Sequence, residues 1–461
     1  MNKERDDLFA YSPDFLQERT DYALKYAKRL GAAQAVIELS EGYGQHVSIR
    51  KAELETLEHT QDQSMSMTVF LSSPTQKGFT RGNVSTANFS DKALQQAVEA
   101  ALAIARHTEI DDCAGLPDPD LLSQDNRADQ LELMFPWHLS SQAAIDLAKQ
   151  TEAAAFALDK RVQNSEGASV SSSHGRFWLA NTHGFSKSYA FSRHSISMSP
   201  VVGEGDQLQT DYWYSSMRNP HKIWTPEQIG QRAAQRALAK LNPKKLSSRS
   251  CRVLFEAPLA CGLLGGFVQA ASGSALYRRS TFLLDRMGQS IMAPHLSIHE
   301  DPFVPEAFGS APFDQEGVKV SARHLVDHGT LQGWFLSSYT ARKLGLVSTG
   351  NAGGSHNLYF TSSNTQAHDD FAAMLKKLDT GFVVTDLMGD GVNYITGEYS
   401  RGASGFWVEN GEIVHAVDEV TIAGNLQDMW KNIESIGSDV INRGTKYSGS
   451  VLISNMVVAG N

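Results

Sequence analysis

Between Leu254 and Arg279 the chain reads LFEAPLACGLLGGFVQAASGSALYRR, an apolar stretch whose spacing predicts a buried helix although it carries glycines that helices avoid. Pro258 suits a first helical turn, where a missing N–H is harmless. Apolar residues recur at Leu259/Ala260, Leu263/Leu264, Phe267/Val268 and Ala270/Ala271, close to the helical period. Gly262, Gly265 and Gly266 each cost about 1 kcal/mol relative to alanine in a helix interior. The sequence therefore predicts that another backbone approaches this helix closely.

A length of 461 residues is enough for two or three domains, and 41% hydrophobic with 20% charged residues is a globular composition. The N-terminus MNKERDDLFAYS has neither the basic start nor the apolar centre of a secretory leader, and no uninterrupted apolar run reaches the ~18 residues of a membrane span. The expectation is a cytoplasmic protein with no membrane partner. The three cysteines, Cys113, Cys251 and Cys261, form no CxxC and are read as buried reduced thiols. A formal net charge of −10 gives no electrostatic drive toward phosphate backbones, so no nucleic-acid partner is expected. The one basic cluster, Lys244, Lys245, Arg249 and Arg252, reads as a solvated linker.

The fold class expected is α+β. An N-terminal region over residues 1–242, helices packed on antiparallel sheets, precedes a β-rich, barrel-like C-terminal domain over 250–461. The first helix has Ser12 as N-cap, Pro13 in its first turn and Gly31 as its stop. Strands are predicted over 35–39, 45–54 and 65–71, with turns at Gly42, Gly44 and Gly78, and a second helix over 90–107. Residues 111–129, rich in Asp and Pro, read as a surface crossing. A helix over 140–158, polar strands over 169–179 and 186–198, and a helix opened by Thr225 and Pro226 repeat the order helix, strands, helix. Ser40-Glu41-Gly42 recurs as Ser165-Glu166-Gly167, which suggests two diverged halves, 1–110 and 135–242. Beyond Asn242 the chain reads as strands and tight turns, with Asp327-His328-Gly329 and Glu409-Asn410-Gly411 as hairpin connections.

His295 and His299, with Glu300 beside the second, have the look of a metal site, but the alternation of Leu296 and Ile298 places them on a strand. A four-residue step there separates side chains by roughly 13 Å, too far for one ion. His324 and His328 straddle a strand and its turn. No G-x-S-x-G, phosphate-binding loop or complete dinucleotide motif occurs. The loops Gly350-Asn351-Ala352-Gly353-Gly354 and Gly397 to Gly405 remain. As peptide-channel candidates they offer Gly350, Asn351, Gly353, Gly354, Gly397, Arg401 and Gly402, because glycine admits a second chain to the backbone.

The frame around Leu263 resembles the TldD/PmbA family of zinc peptidases, whose catalytic subunit carries L-L-H-E-x-x-x-H here, followed by an Arg-Arg pair. Leu263 and Leu264 match the leucines and Arg278 and Arg279 the basic pair, but the histidine, glutamate and second histidine fall on Gly265, Gly266 and Ala270. The family's C-terminal cysteine ligand is missing too, since no cysteine lies beyond residue 261. Catalytic zinc needs about three nitrogen, sulfur or oxygen donors and a carboxylate to deprotonate its water. Glycine and alanine offer none of these. The block from Asp386 to Asp439, DLMGDGVNYITGEYSRGASGFWVENGEIVHAVDEVTIAGNLQDMWKNIESIGSD, is similar to the PmbA (TldE) branch.

The resemblance implies a subunit with no catalytic residue, metal or cofactor of its own. It implies a heterodimer with a zinc-bearing TldD-like subunit, a homodimer when alone, and an unfolded peptide as substrate. Two other readings stay open. One is a stand-alone hydrolase with a relocated site drawn from His295, His299, Glu300, His324 and Asp327. The other is a non-enzymatic modulator of a protein partner such as DNA gyrase or a toxin–antitoxin pair.

Overall fold

Four helices of the N-terminal region start where a hydroxyl side chain can accept a backbone N–H left without a helical partner. In α1 (Pro13–Arg29), α2 (Asp91–Arg106), α3 (Ser141–Leu158) and α4 (Pro226–Ala239) the caps are Ser12, Ser90, Ser140 and Thr225, accepting from Phe15, Ala93, Ala143 and Gln228. The computed structural model describes residues 8–205 and 207–460; the segment MNKERDD, on which part of the no-leader expectation rests, lies outside them.

These helices cover one face of a seven-stranded antiparallel sheet made of β1 (Gln34–Arg50), β2 (Glu53–Ser72), β3 (Phe79–Thr86), β4 (Val162–Asn181), β5 (Ser186–Val202), β6 (Gln209–Thr210) and β7 (Trp213–Met217). The order is β3-β2-β1-β4-β5-β6, with β7 also on β5. The predicted turns at Gly42 and Gly44 are not turns: β1 runs straight through both, paired with β2 on one side and β4 on the other. A Cβ on Gly44 would lie 2.6 Å from Thr60 Oγ1, so there glycine relieves crowding between long strands. Ile37, Leu39, Met65 and Met67 pack under α1 and α2, and Val47, Ile49, Val170 and Ile196 under α3 and α4.

The C-terminal region runs, in chain order, through β8 (Arg249–Phe255), α5 (Ala257–Ala270), α6 (Gly273–Tyr277), β9 (Leu296–Asp301), β10 (Arg323–Asp327), β11 (Thr330–Leu331), α7 (Ser338–Leu344), β12 (Asn357–Ser362) and α8 (Phe371–Leu378). It continues through β13 (Gly381–Met388), β14 (Glu398–Glu409), β15 (Glu412–Asn425), α9 (Leu426–Lys431), β16 (Ile433–Ile436), β17 (Ile441–Arg443), β18 (Lys446–Ser448) and β19 (Val451–Ala459). One sheet has the order β15-β14-β13-β8-β19-β16, and because β15 also pairs with β19, five of its strands close into a ring. The other has the order β11-β10-β9-β12-β18-β17. The barrel-like domain expected from the sequence is thus a small closed barrel beside a second sheet. At both predicted hairpins the two turn residues have positive φ, His328 and Gly329 in one, Asn410 and Gly411 in the other.

Two boundaries differ from expectation. Leu254 and Phe255 belong to β8, and the helix begins only at Ala257, with Pro258 in its first turn. Arg249 and Arg252 lie on β8 and not in a linker: Arg249 stacks over Trp407, and Arg252 donates to Leu378 O and pairs with Glu434. None of the described helices is long and apolar enough to cross a membrane.

Candidate functional site

Helix α5 buries Leu263, Leu264, Phe267 and Ala270 in the C-terminal core, where Phe267 meets Phe335 and Trp430 edge-on at 6.1 and 6.0 Å between ring centroids. Its glycines lie elsewhere. A Cβ on Gly262 would touch nothing within 4 Å, one on Gly265 only Lys446 Cε at 3.8 Å, and one on Gly266 only Tyr394, also at 3.8 Å. The close backbone approach expected from the sequence is therefore absent. These positions recur at helical spacing and form an open stripe walled by Lys446 on β18 and Tyr394 in the β13–β14 loop. Gly262→Ala should accordingly stabilise the protein by about 1 kcal/mol in urea melts, since alanine is the better helix former and the space is free. A destabilised variant would show that the open stripe is wrongly placed.

The residues at 265, 266 and 270 do not fit a metal. Gly265 and Gly266 sit at the half-exposed stripe without a donor atom, and Ala270 is fully buried, its carbonyl accepting from Thr281 Oγ1 at 2.7 Å. One turn upstream, the Cys261 thiol points at Ile441 O and Lys446 O, at 3.6 and 3.5 Å, and ties α5 to the β17–β18 hairpin. Burial pushes this thiol up to about 11, so it stays protonated and offers no thiolate. Arg278 and Arg279 are exposed beyond α6.

Alternation along β9 divides the residues of the relocated-site reading. His299 and His324 are directly paired across β9 and β10, with ring centroids 5.0 Å apart, on the outer face of the sheet. Glu300 points the other way, 1% exposed, and accepts from Arg323 Nε, Asn351 Nδ2 and the His356 backbone N–H at 2.9, 2.8 and 2.8 Å. His295 has both ring nitrogens engaged, by Ser362 Oγ and Ile433 O. Asp327 stands 4.0 Å from His324 and 3.9 Å from His328, and is partly exposed. The carboxylate and the paired histidines therefore face opposite sides of one sheet.

The glycine loops divide as well. Asn351 is buried; besides Glu300 its amide donates to Gly354 O, and its carbonyl accepts from Arg323 and Thr349. Gly350 and Gly397 are buried turn residues with positive φ, where a Cβ would strike Lys319 O and Asn425 Oδ1. Gly353 and Gly354 are exposed. Arg401 reaches Gly389 O at 2.9 Å, and Gly402 lies beside Met388.

Two polar centres lay outside the sequence reading. Asp111, Asp112 and Cys113 bring three donor atoms within 4.8 Å of one another, but Asp111 is already held by Lys343, Tyr339 and the Cys113 N–H, and burial raises the Cys113 thiol. In the first sheet, between the two helix pairs, His174 and His194 lie 5.1 Å apart. His194 donates to Phe135 O and meets Ser172, while His174 Nε2 accepts the Trp137 N–H. Their partners on the 133–138 segment lie tens of residues away in the chain, so no local motif announces them.

Three consecutive segments match the PmbA/TldA metallopeptidase domains: domain 1 over residues 35–105, the central domain over 135–241 and the C-terminal domain over 248–460. A Metalloprotease PmbA homolog from Haemophilus influenzae is 42% identical over 446 residues, 97% of this chain and 96% of that one. Metalloprotease PmbA of Escherichia coli O157:H7 is 43% identical, over 96% of each chain. The crystal structure of TldE from Thermococcus kodakarensis shares the fold with a TM-score of 0.82 at 18% identity, over 97% of this chain and all of that one. Sequence kinship over nearly the whole length, with the same succession of domains, establishes that this chain belongs to the PmbA/TldD metallopeptidase family, on its PmbA branch.

Proposed function

We propose that this chain is the metal-free subunit of a two-component cytosolic peptidase, pairing with a zinc-bearing TldD-like homologue to process unfolded peptides. One feature carries the reading: the positions that the family resemblance aligns with the ligands and base of the zinc-bearing subunit are Gly265, Gly266 and Ala270, whose side chains offer no donor. Cleavage then belongs to the partner's metal, and this chain's share is to complete the assembly and hold the peptide. The names of the relatives, which speak of metalloproteases, agree with membership in such a system.

The test is reconstitution. Pure chain should carry no stoichiometric zinc by elemental analysis and release no product from an unfolded peptide. Addition of the zinc-bearing homologue should yield cleavage that a chelator abolishes. Chelator-sensitive cleavage by the chain alone would overturn the proposal, as would a homologue whose activity does not respond to this chain.

A further inference from the structure

The β1–β2 hairpin is longer than the sheet around it. β3 pairs with β2 only from Met65 to Ser72, and among the described residues no backbone hydrogen bond reaches the outer side of β2 between Glu53 and Asp62. In an antiparallel strand about every second residue turns its N–H and C=O outward, so roughly five residues here present unpaired backbone groups. The edge is held in place. Lys51 and Ala52 form the hairpin tip with positive φ, and the buried Glu152 on α3 accepts both their N–H groups, at 2.9 and 2.7 Å, while also accepting from Ser165 Oγ.

The side chains on this edge are sorted by face. Leu57 and Leu54 lie opposite Val47 and Ile49, on the side of the helix-covered core, but remain 42% and 45% exposed. Glu58, Glu53 and Asp62, opposite His46, Arg50 and Gly42, are exposed on the other face, and none forms an ion pair among the described residues. Charges can protect an edge from pairing at all. Here Glu53, Glu58 and Asp62 lie on the face away from the two leucines, with Glu55 exposed at the bulge between the two registers, which selects an incoming strand by its chemistry. Opposite charges facing across strands stabilise and like charges repel. A second copy of this chain would set acid against acid.

We infer that the edge from Glu53 to Asp62 receives an extended polypeptide alternating basic and apolar residues, which adds to the sheet as a further strand. Its apolar side chains cover Leu54 and Leu57, its basic ones face Glu53, Glu58 and Asp62, and main-chain hydrogen bonds supply affinity for an unfolded chain. The inference deepens the peptide-handling reading and rests on it. Its test reads binding alone, so its outcome is separable from that of reconstitution.

Hydrogen exchange of the isolated chain, followed by mass spectrometry, should show new protection over residues 53–62 on addition of a dodecapeptide alternating lysine and valine. A glutamate–valine peptide should give none. The variant Glu53→Lys/Glu58→Lys/Asp62→Lys, altered only at exposed side chains, should bind the lysine peptide about tenfold more weakly and gain affinity for the glutamate peptide. Three results would overturn the inference: protection located elsewhere, equal binding of both peptides, or protection of this edge that appears with protein concentration or only with the folded zinc-bearing homologue.

Discussion

Glu300→Ala should lower the stability of the protein by roughly 3 to 5 kcal/mol, measured as a shift of the urea midpoint at unchanged slope, because a buried charged network would lose its acceptor. The carboxylate gathers donors from three separate segments: Arg323 on β10, Asn351 in the glycine loop and the N–H of His356 ahead of β12. Truncation leaves the Arg323 guanidinium half-partnered and the Asn351 amide with only Gly354 O. Glu300→Gln, which keeps the shape and one acceptor but not the charge, should fall between wild type and alanine. If alanine is tolerated within 1 kcal/mol, the network is not what fixes the glycine loop to the second sheet.

Acidification should destabilise the fold through His174. Burial, together with the neighbouring His194 and His138, pushes its imidazole down to about 4 from an ordinary value of 6.5. Between these limits the unfolded chain binds a proton that the folded one refuses, so stability is complete above about pH 6.5 and falls as the pH drops toward 4. At about 1.4 kcal/mol per pH unit the total loss is roughly 3 kcal/mol. Other titrating groups contribute in the same range, so the decisive quantity is the difference between wild type and His174→Gln. The variant should lose roughly 3 kcal/mol less between pH 7 and pH 4 in matched urea melts. Parallel curves would mean that His174 takes up its proton within the folded protein at its ordinary pH.

Much of the architecture was legible because it rests on local chemistry. Ser12 and Thr225 marked helix starts through their own side chains, and Asn410-Gly411 marked a hairpin through the conformations those residues tolerate. The glycines misled where the local rule has two causes. Gly42 and Gly44 looked like turns but sit mid-strand, and Gly262, Gly265 and Gly266 suggested tight packing where the structure leaves space. Absence of donors at 265, 266 and 270 could be read directly, since it needs no geometry. The inward role of Glu300 could not, because its partners lie 23 to 56 residues away and only the pairing of β9 with β10 and β12 brings them in.

The ring of five strands is joined in an order that matters for biogenesis. β8 lies between β13 and β19, and β19 follows it by about 200 residues, from 249 to 451. On the ribosome β8 emerges just past the middle of the chain, with Val253 and Phe255 that are wholly buried in the finished barrel, and must wait for both neighbours. Such distant pairing slows folding and leaves sticky strands uncovered meanwhile. The nascent chain should therefore be a good client for chaperones from the emergence of β8 onward, and a poor one once β19 has docked.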